Sequence, residues 1–195
     1  MEGLDRERIL EGLQEIIQRA ESAGVSGVRL YIVGGAALSL RYFERDATRD
    51  IDARIEGSEQ LAPLVQQIAN ELGWTDDWLN DKASQFVPFY GAAVDWDPIY
   101  QSEKVTIFVA PPDLLLAMKL NAYEKRTEAD ADDIVGLLPI VGVASLESAD
   151  TLIDRYFPGD SVGTRTAGFL NRIFEAGVPE RRAAPPPIEL AAGPS

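Results

Sequence analysis

The sequence predicts an α+β fold, a small mixed β-sheet with flanking helices that gives way to a helical C-terminal half. Two observations carry this expectation. Up to about residue 110 the apolar periodicity runs helix, strand, helix, strand, helix, strand, strand, and beyond it only helical patterns follow. The chain also has 195 residues, 46% of them hydrophobic and 26% charged, enough to bury one sizeable core with an extension. The expected division is a core over 1–138, a helical extension over 139–178 and a tail over 179–195. The tail is rich in proline and alanine, lacks periodicity and is expected to be disordered.

Each element has its own local reason. Over 5–23, apolar residues recur at Ile9, Leu10, Leu13, Ile16, Ile17 and Ala20, an amphipathic helix closed by Gly24. The run Val28-Arg29-Leu30-Tyr31-Ile32-Val33 is rich in β-branched and aromatic residues and reads as a strand. Gly34 and Gly35 break it, 36–43 has helical spacing, and 50–55 reads as a second strand. Residues 58–72 form the next helix, with Ser58 as N-cap and Gly73 beyond the end. The segment 73–82, GWTDDWLNDK, reads as an irregular connection with one helical turn. Residues 86–97 are strand-like but interrupted by Pro88 and Gly91, and 104–109 is a cleaner strand. Prolines 111 and 112 open a helix that extends to about Arg126, since proline is tolerated in a first turn. Thr127 to Asp130 has capping-box spacing before a short helix to Leu138, and two more helices span 145–156 and 164–176.

Composition excludes several chemistries. With no cysteine there are no disulfides or zinc–thiolate centres, and with no histidine there are no histidine bases or histidine metal ligands. No apolar run reaches the roughly 20 residues a membrane helix needs, and the charged N-terminus is unlike a signal peptide, so a cytoplasmic location is expected. A net charge of −14 argues against a broad nucleic-acid-coating surface but leaves room for a local phosphate site.

The stretch 30–54 carries that site. Side chains at i and i+2 of a strand share a face, so Asp50 and Asp52 would present two carboxylates together, an arrangement suited to a hard divalent cation. The alternative is a solvated edge strand. Gly34 and Gly35, between a strand and a helix, would let a ligand approach the backbone at a helix N-terminus, where unpaired N–H groups attract anions. Lys119 interrupts the apolar helix Leu114 to Leu120, either as an anion ligand or as one half of an internal ion pair with Asp130 or Asp133. Arg41, Arg45, Arg49 and Arg54 supply cations around the site, or pair with neighbouring carboxylates. Trp74, Trp78 and Trp96 offer either a base-stacking face or ordinary packing.

The segments VGGAALSLRYFERDATRDIDA (33–53) and VAPPDLLLAMKLNAYEKRTEADADDIVGLL (109–138) resemble the nucleotidyltransferase superfamily, most closely the small bacterial AbiEii-like and minimal nucleotidyltransferase proteins. The resemblance covers about 30–138. It implies that Gly34, Gly35 and Thr48 contact a nucleoside triphosphate, that Asp50 and Asp52 bind Mg²⁺ (or Mn²⁺), and that Lys119 and Arg126 face the phosphates. It further implies transfer of a nucleotidyl group to tRNA or a protein, and a role beside a cognate toxin or antitoxin. Three positions depart from the family's pattern: Ala36 replaces a serine or threonine, Asp46 replaces an arginine that neighbouring Arg45 would have to supply, and Ala129 replaces a lysine. A third metal-binding carboxylate would have to be Asp95 or Asp97. Without it, the chain would be a degenerate nucleotidyltransferase fold serving as a nucleotide-binding or protein-interaction module.

Overall fold

The computed structural model describes residues 3–88, 90–125 and 130–192. The fold is α+β: among the described residues there are seven α-helices and a five-stranded mixed sheet. The chain separates into two compact units, one of residues 3–85, 96–110 and 184–192, the other of 86–95 and 111–183. That division cuts across the boundary expected at 138.

The first unit holds α1 (Arg6–Ala23), β1 (Val28–Ile32), α2 (Gly34–Arg41), β2 (Ile51–Glu56), α3 (Ser58–Leu72), β3 (Leu79–Asn80), β4 (Asp97–Gln101) and β5 (Val105–Val109). Strand order is β3-β2-β1-β5-β4. Pairing is antiparallel for β1 with β2 and for β4 with β5, and parallel for β1 with β5 and for β2 with β3. Alternation gives the sheet two faces. Val28, Leu30, Ile32, Ala53, Val105 and Ile107 are almost wholly buried on one of them, where α1, α2 and α3 supply Ile9, Leu13, Ile16, Leu38, Leu61 and Ile68 to the core. Asp52, Arg54, Tyr31, Thr106 and Phe108 stand on the other and remain half-buried.

The helical periodicities fold as expected. Asp5 caps α1 by accepting from the Arg8 N–H, and Gly24 ends it with φ 67°. Four details differ from the sequence reading. The strand expected over 50–55 begins at Ile51, leaving Asp50 just before it. The cap of α3 is Gly57 rather than Ser58, which is the first helical residue and makes no side-chain cap bond. The connection over 73–82 contains β3, whose two residues pair with Ile51 and Asp52. The strand expected over 86–97 lies at Asp97–Gln101 instead; β4 is an edge strand with a register shift at Pro98, a setting that tolerates proline.

The second unit packs α4 (Pro112–Tyr123) against α5 (Ala131–Val141), α6 (Leu146–Tyr156) and α7 (Thr164–Ala176). Arg126 and the Thr127–Ala129 part of the expected capping box lie outside the described residues, and α4 ends at Tyr123. A capping box does form on α6, between Ser145 and Ser148. Helix α7 begins without a side-chain cap of its own; the Glu124 carboxylate accepts from the backbone N–H groups of Arg165 and Thr166 instead. Among the described residues no single helix is long and apolar enough to cross a membrane. The tail over 184–192 has no helix or strand, yet it lies along α1. Gln14 both donates to the Ala191 carbonyl and accepts from its N–H at 2.9 Å, and Arg6 donates to the Pro186 carbonyl at 2.7 Å.

Candidate functional site

The site is built where β1 hands over to α2. Gly34 has φ 64°, a left-handed conformation that costs an L-residue about 1–2 kcal/mol. There is also little room: a Cβ on Gly34 would lie 3.3 Å from Oδ2 of Asp52. The first turn of α2 therefore starts against the Asp52 carboxylate. Val33, its N-cap, supplies no side-chain hydrogen bond to the first turn.

Gly35 is crowded from another side. A Cβ there would fall 1.9 Å from Nη1 of Arg45 and 2.7 Å from Oγ1 of Thr48, so only glycine lets both groups lie over this turn. Arg45, and not Asp46, thus brings a guanidinium to the glycine pair. Thr48 is fixed by a two-way backbone bridge to Leu4, at 2.7 and 2.9 Å. Ala36 is wholly buried, so the hydroxyl that the resemblance expects there would face the core of this chain.

Asp50 and Asp52 share one patch through β3. Asn80 is the cross-strand partner of Asp52, and its Nδ2 donates to Oδ2 of Asp50 at 3.0 Å. The Asn80 side-chain Oδ1 accepts from the backbone N–H of Lys82. The Lys82 ammonium is held above its ordinary range, chiefly by its 2.5 Å hydrogen bond to Asp77, with Asp50 and Asp52 adding smaller attractions. Asn80 and Lys82 escaped the sequence reading because a two-residue strand is too short to show a period. The polar cluster LNDK after Trp78 was the available signal.

Other expected residues are placed differently. Lys119 forms an internal ion pair within the second unit, at 2.6 Å from Asp130 and 2.8 Å from Asp133, with all three side chains at most 15% exposed. Asp97 accepts from Arg41 at 2.5 Å on β4. Three strand spacings separate β4 from β2, on the order of 14 Å. Asp95 belongs to the second unit. Among the described residues no three carboxylates gather into a metal-binding group. The four arginines do not act as one cluster: Arg41 is tied to Asp97, Arg45 covers Gly35, Arg49 lines a hollow with Leu4, Arg8 and Trp74, and Arg54 lies 4.1 Å from the centre of the Tyr31 ring. Trp78 is core, 1% exposed, with its indole N–H donating to the Val65 carbonyl and its ring edge-to-face with Trp74. Trp96 stands on the outer face beside Tyr31.

A glycine pair at the start of α2 is thus set against one of the two carboxylates. A family model described as "Nucleotidyltransferase of unknown function (DUF6036)" matches residues 8–156, well over half of the chain. The chain belongs to this nucleotidyltransferase family. No curated protein and no solved structure matches it.

The donor set of this nucleotidyltransferase suits a hard cation. Asp50 and Asp52 offer carboxylate oxygens, the ligands that Mg²⁺ prefers, and a chain without cysteine or histidine has no thiolate or imidazole to compete. The bond from Asn80 occupies one oxygen of Asp50 and leaves the other for a ligand.

Proposed function

We propose that the protein transfers a nucleoside monophosphate from an NTP to an acceptor hydroxyl at the Gly34–Asp52 site. The observation that carries this reading is the close approach of the glycine turn at the start of α2 to the Asp52 carboxylate. Triphosphate oxygens would accept from the N–H groups of the first turn, where the helix dipole favours negative charge. The Arg45 guanidinium and the Thr48 hydroxyl, both over Gly35, extend the same cradle. Asp50 and Asp52 would hold Mg²⁺ or Mn²⁺, which when bound neutralises phosphate charge and steadies the departing pyrophosphate.

The chemistry asked of the chain is positioning. The acceptor oxygen attacks the α-phosphorus in line, the α–β phosphoanhydride bond breaks, pyrophosphate leaves, and the hydroxyl proton passes to solvent. Asn80 fixes the Asp50 carboxylate throughout. Lys119 is assigned to packing α4 on α5 rather than to phosphate, because both of its carboxylate partners lie within 3 Å.

One finding favours a second reading, a nucleotide-binding module without transfer: Asp97 is spent on Arg41, and no third carboxylate joins Asp50 and Asp52 among the described residues. Incubation with each labelled NTP, Mg²⁺ and total RNA separates the two. Label appearing on RNA, and lost in Asp50→Ala and Asp52→Ala, is the expected result. Binding without transfer would select the module, and neither binding nor transfer would refute both.

A further inference from the structure

The proline-rich tail and the outer side of α1 are matched in chemistry and in length. Arg6, Leu10 and Gln14 are spaced i, i+4 and i+8, so they form one row along the helix, and all three are half-buried. The tail over 184–192 belongs to the same compact unit and runs beside that row. Pro186 and Pro187 have no N–H, so this part of the tail presents only carbonyl acceptors. It meets Arg6, a side chain that only donates: Nη2 reaches the Pro186 carbonyl at 2.7 Å and the Pro187 carbonyl at 3.5 Å. Ala191 has both an N–H and a carbonyl. It meets Gln14, whose amide donates and accepts, at 2.9 Å each way.

The lengths agree as well. From Arg6 to Gln14 the helix rises about 12 Å. An extended chain of polyproline type spans about 15 Å from Pro186 to Ala191, a difference within the reach of an arginine side chain. Ile188 and Leu190 are half-buried while Glu189 is exposed, so the apolar side chains of this part are sheltered and its charge faces solvent. A helical segment would not fit the row, because its carbonyls are already bonded to its own N–H groups.

Arg6 is also the first residue of α1, two residues after Leu4. Leu4 pairs both ways with Thr48, and the Thr48 hydroxyl lies over Gly35. Gly3 is pressed against the same segment, since a Cβ there would come within 2.9 Å of the Ala47 Cβ and the Thr48 carbonyl oxygen. Helix ends fray first, and Arg6 ties this one to the tail. From this juxtaposition we infer that the tail is a latch: residues 186–191 dock on the Arg6–Leu10–Gln14 row of their own chain and keep the Leu4–Thr48 bridge closed beside the glycine turn. That a closed bridge strengthens NTP binding rests on the nucleotidyl-transfer reading; the latch does not.

The chain has no cysteine, so Ala192→Cys takes a single nitroxide spin label at an exposed position beside Ala191. In this labelled parent the spectrum is expected to show restricted motion. Adding Arg6→Ala with Gln14→Ala should free the label, and Arg6→Lys, which keeps a donor but not the fork, should free it only in part. Gln18→Ala, one turn beyond the row, should leave it restricted. Amide exchange at Leu4 and Thr48, read in the same proteins without nucleotide, should quicken roughly two- to tenfold on release, the size of one modest hydrogen bond. NTP affinity should fall by a similar factor. A melting curve for each variant confirms the fold, and the single Gln14→Ala keeps the test open if the double variant fails to fold. A label as mobile in the parent as in the double variant would overturn the inference. So would restriction that grows with protein concentration, which would place the tail on a second copy, or unchanged exchange at Leu4 and Thr48 once the tail is free. If label and amides respond as stated while the parent binds no NTP, the transfer reading fails and the latch stands.

Discussion

Lys119 separates a structural cation from a catalytic one, and the difference is measurable. Its ammonium sits between Asp130 and Asp133, whose side chains are 10% and 3% exposed. Lys119→Met keeps the apolar stem and removes only the charge, leaving two enclosed carboxylates without their counter-ion. Breaking a buried pair in this way costs about 3–5 kcal/mol, which for a chain of this size lowers the melting temperature by roughly 6–20 °C. Neutralising the carboxylates as well, in Lys119→Met with Asp130→Asn and Asp133→Asn, should recover most of the loss, because no unpaired charge is then buried. Urea denaturation of the single, double and triple variants, with NTP affinity measured alongside, provides the cycle. A Lys119→Met protein that is as stable as wild type but binds NTP poorly would refute the structural assignment and restore the phosphate role that the sequence suggested.

Gly34→Ala should cost about 1–2 kcal/mol from left-handed strain and weaken NTP binding by crowding Asp52, which thermal denaturation and nucleotide titration check in parallel. Gly12 sits in α1 against the rings of Trp74 and Trp78, where a Cβ would come within 2.5–2.9 Å. Gly12→Ala should therefore destabilise by about 1–3 kcal/mol despite the better helix propensity of alanine, and a gain in melting temperature would contradict that packing. Burial, and then the 2.7 Å hydrogen bond to Asp113, push the Tyr156 phenol well above its usual range. The folded protein holds that proton more tightly than the unfolded chain, so this contribution is complete below the ordinary tyrosine value of about 10 and declines as pH rises past it. Tyr156→Phe should remove that part of the alkaline loss, read as the difference between the two stability–pH curves above pH ~10.

What the sequence discloses follows from what each element asks of its residues. Helices α1 and α7 are legible because their apolar stripes have only one use, burial against a neighbour, and the glycine pair is legible because few residues suit that turn. Strand β4 is not: DPIYQ has no alternation, and its place at the sheet edge depends on β5 rather than on its own side chains. Strand β3 is shorter than any period. Within the site, Gly34, Gly35, Thr48 and Asp52 were signalled by residue type and spacing, and they meet at one turn. The place of Asp50 just before β2 and its tie to Asn80 depend on a pairing that no local pattern announces. Lys119 illustrates the limit most clearly. A lysine on an apolar helix needs a counter-charge, and only the fold decides whether that charge is Asp130 and Asp133 or a ligand.

The central claim is that Asp50 and Asp52 bind a divalent cation together with an NTP held at the N-terminus of α2. Calorimetric titration of wild type and of Asp50→Asn/Asp52→Asn with each NTP, in Mg²⁺ and in EDTA, tests it most directly. Mg²⁺ should strengthen NTP binding to wild type, and this strengthening should disappear in the double variant. Equal affinity with and without Mg²⁺ in wild type, or an undiminished Mg²⁺ effect in the double variant, would contradict it.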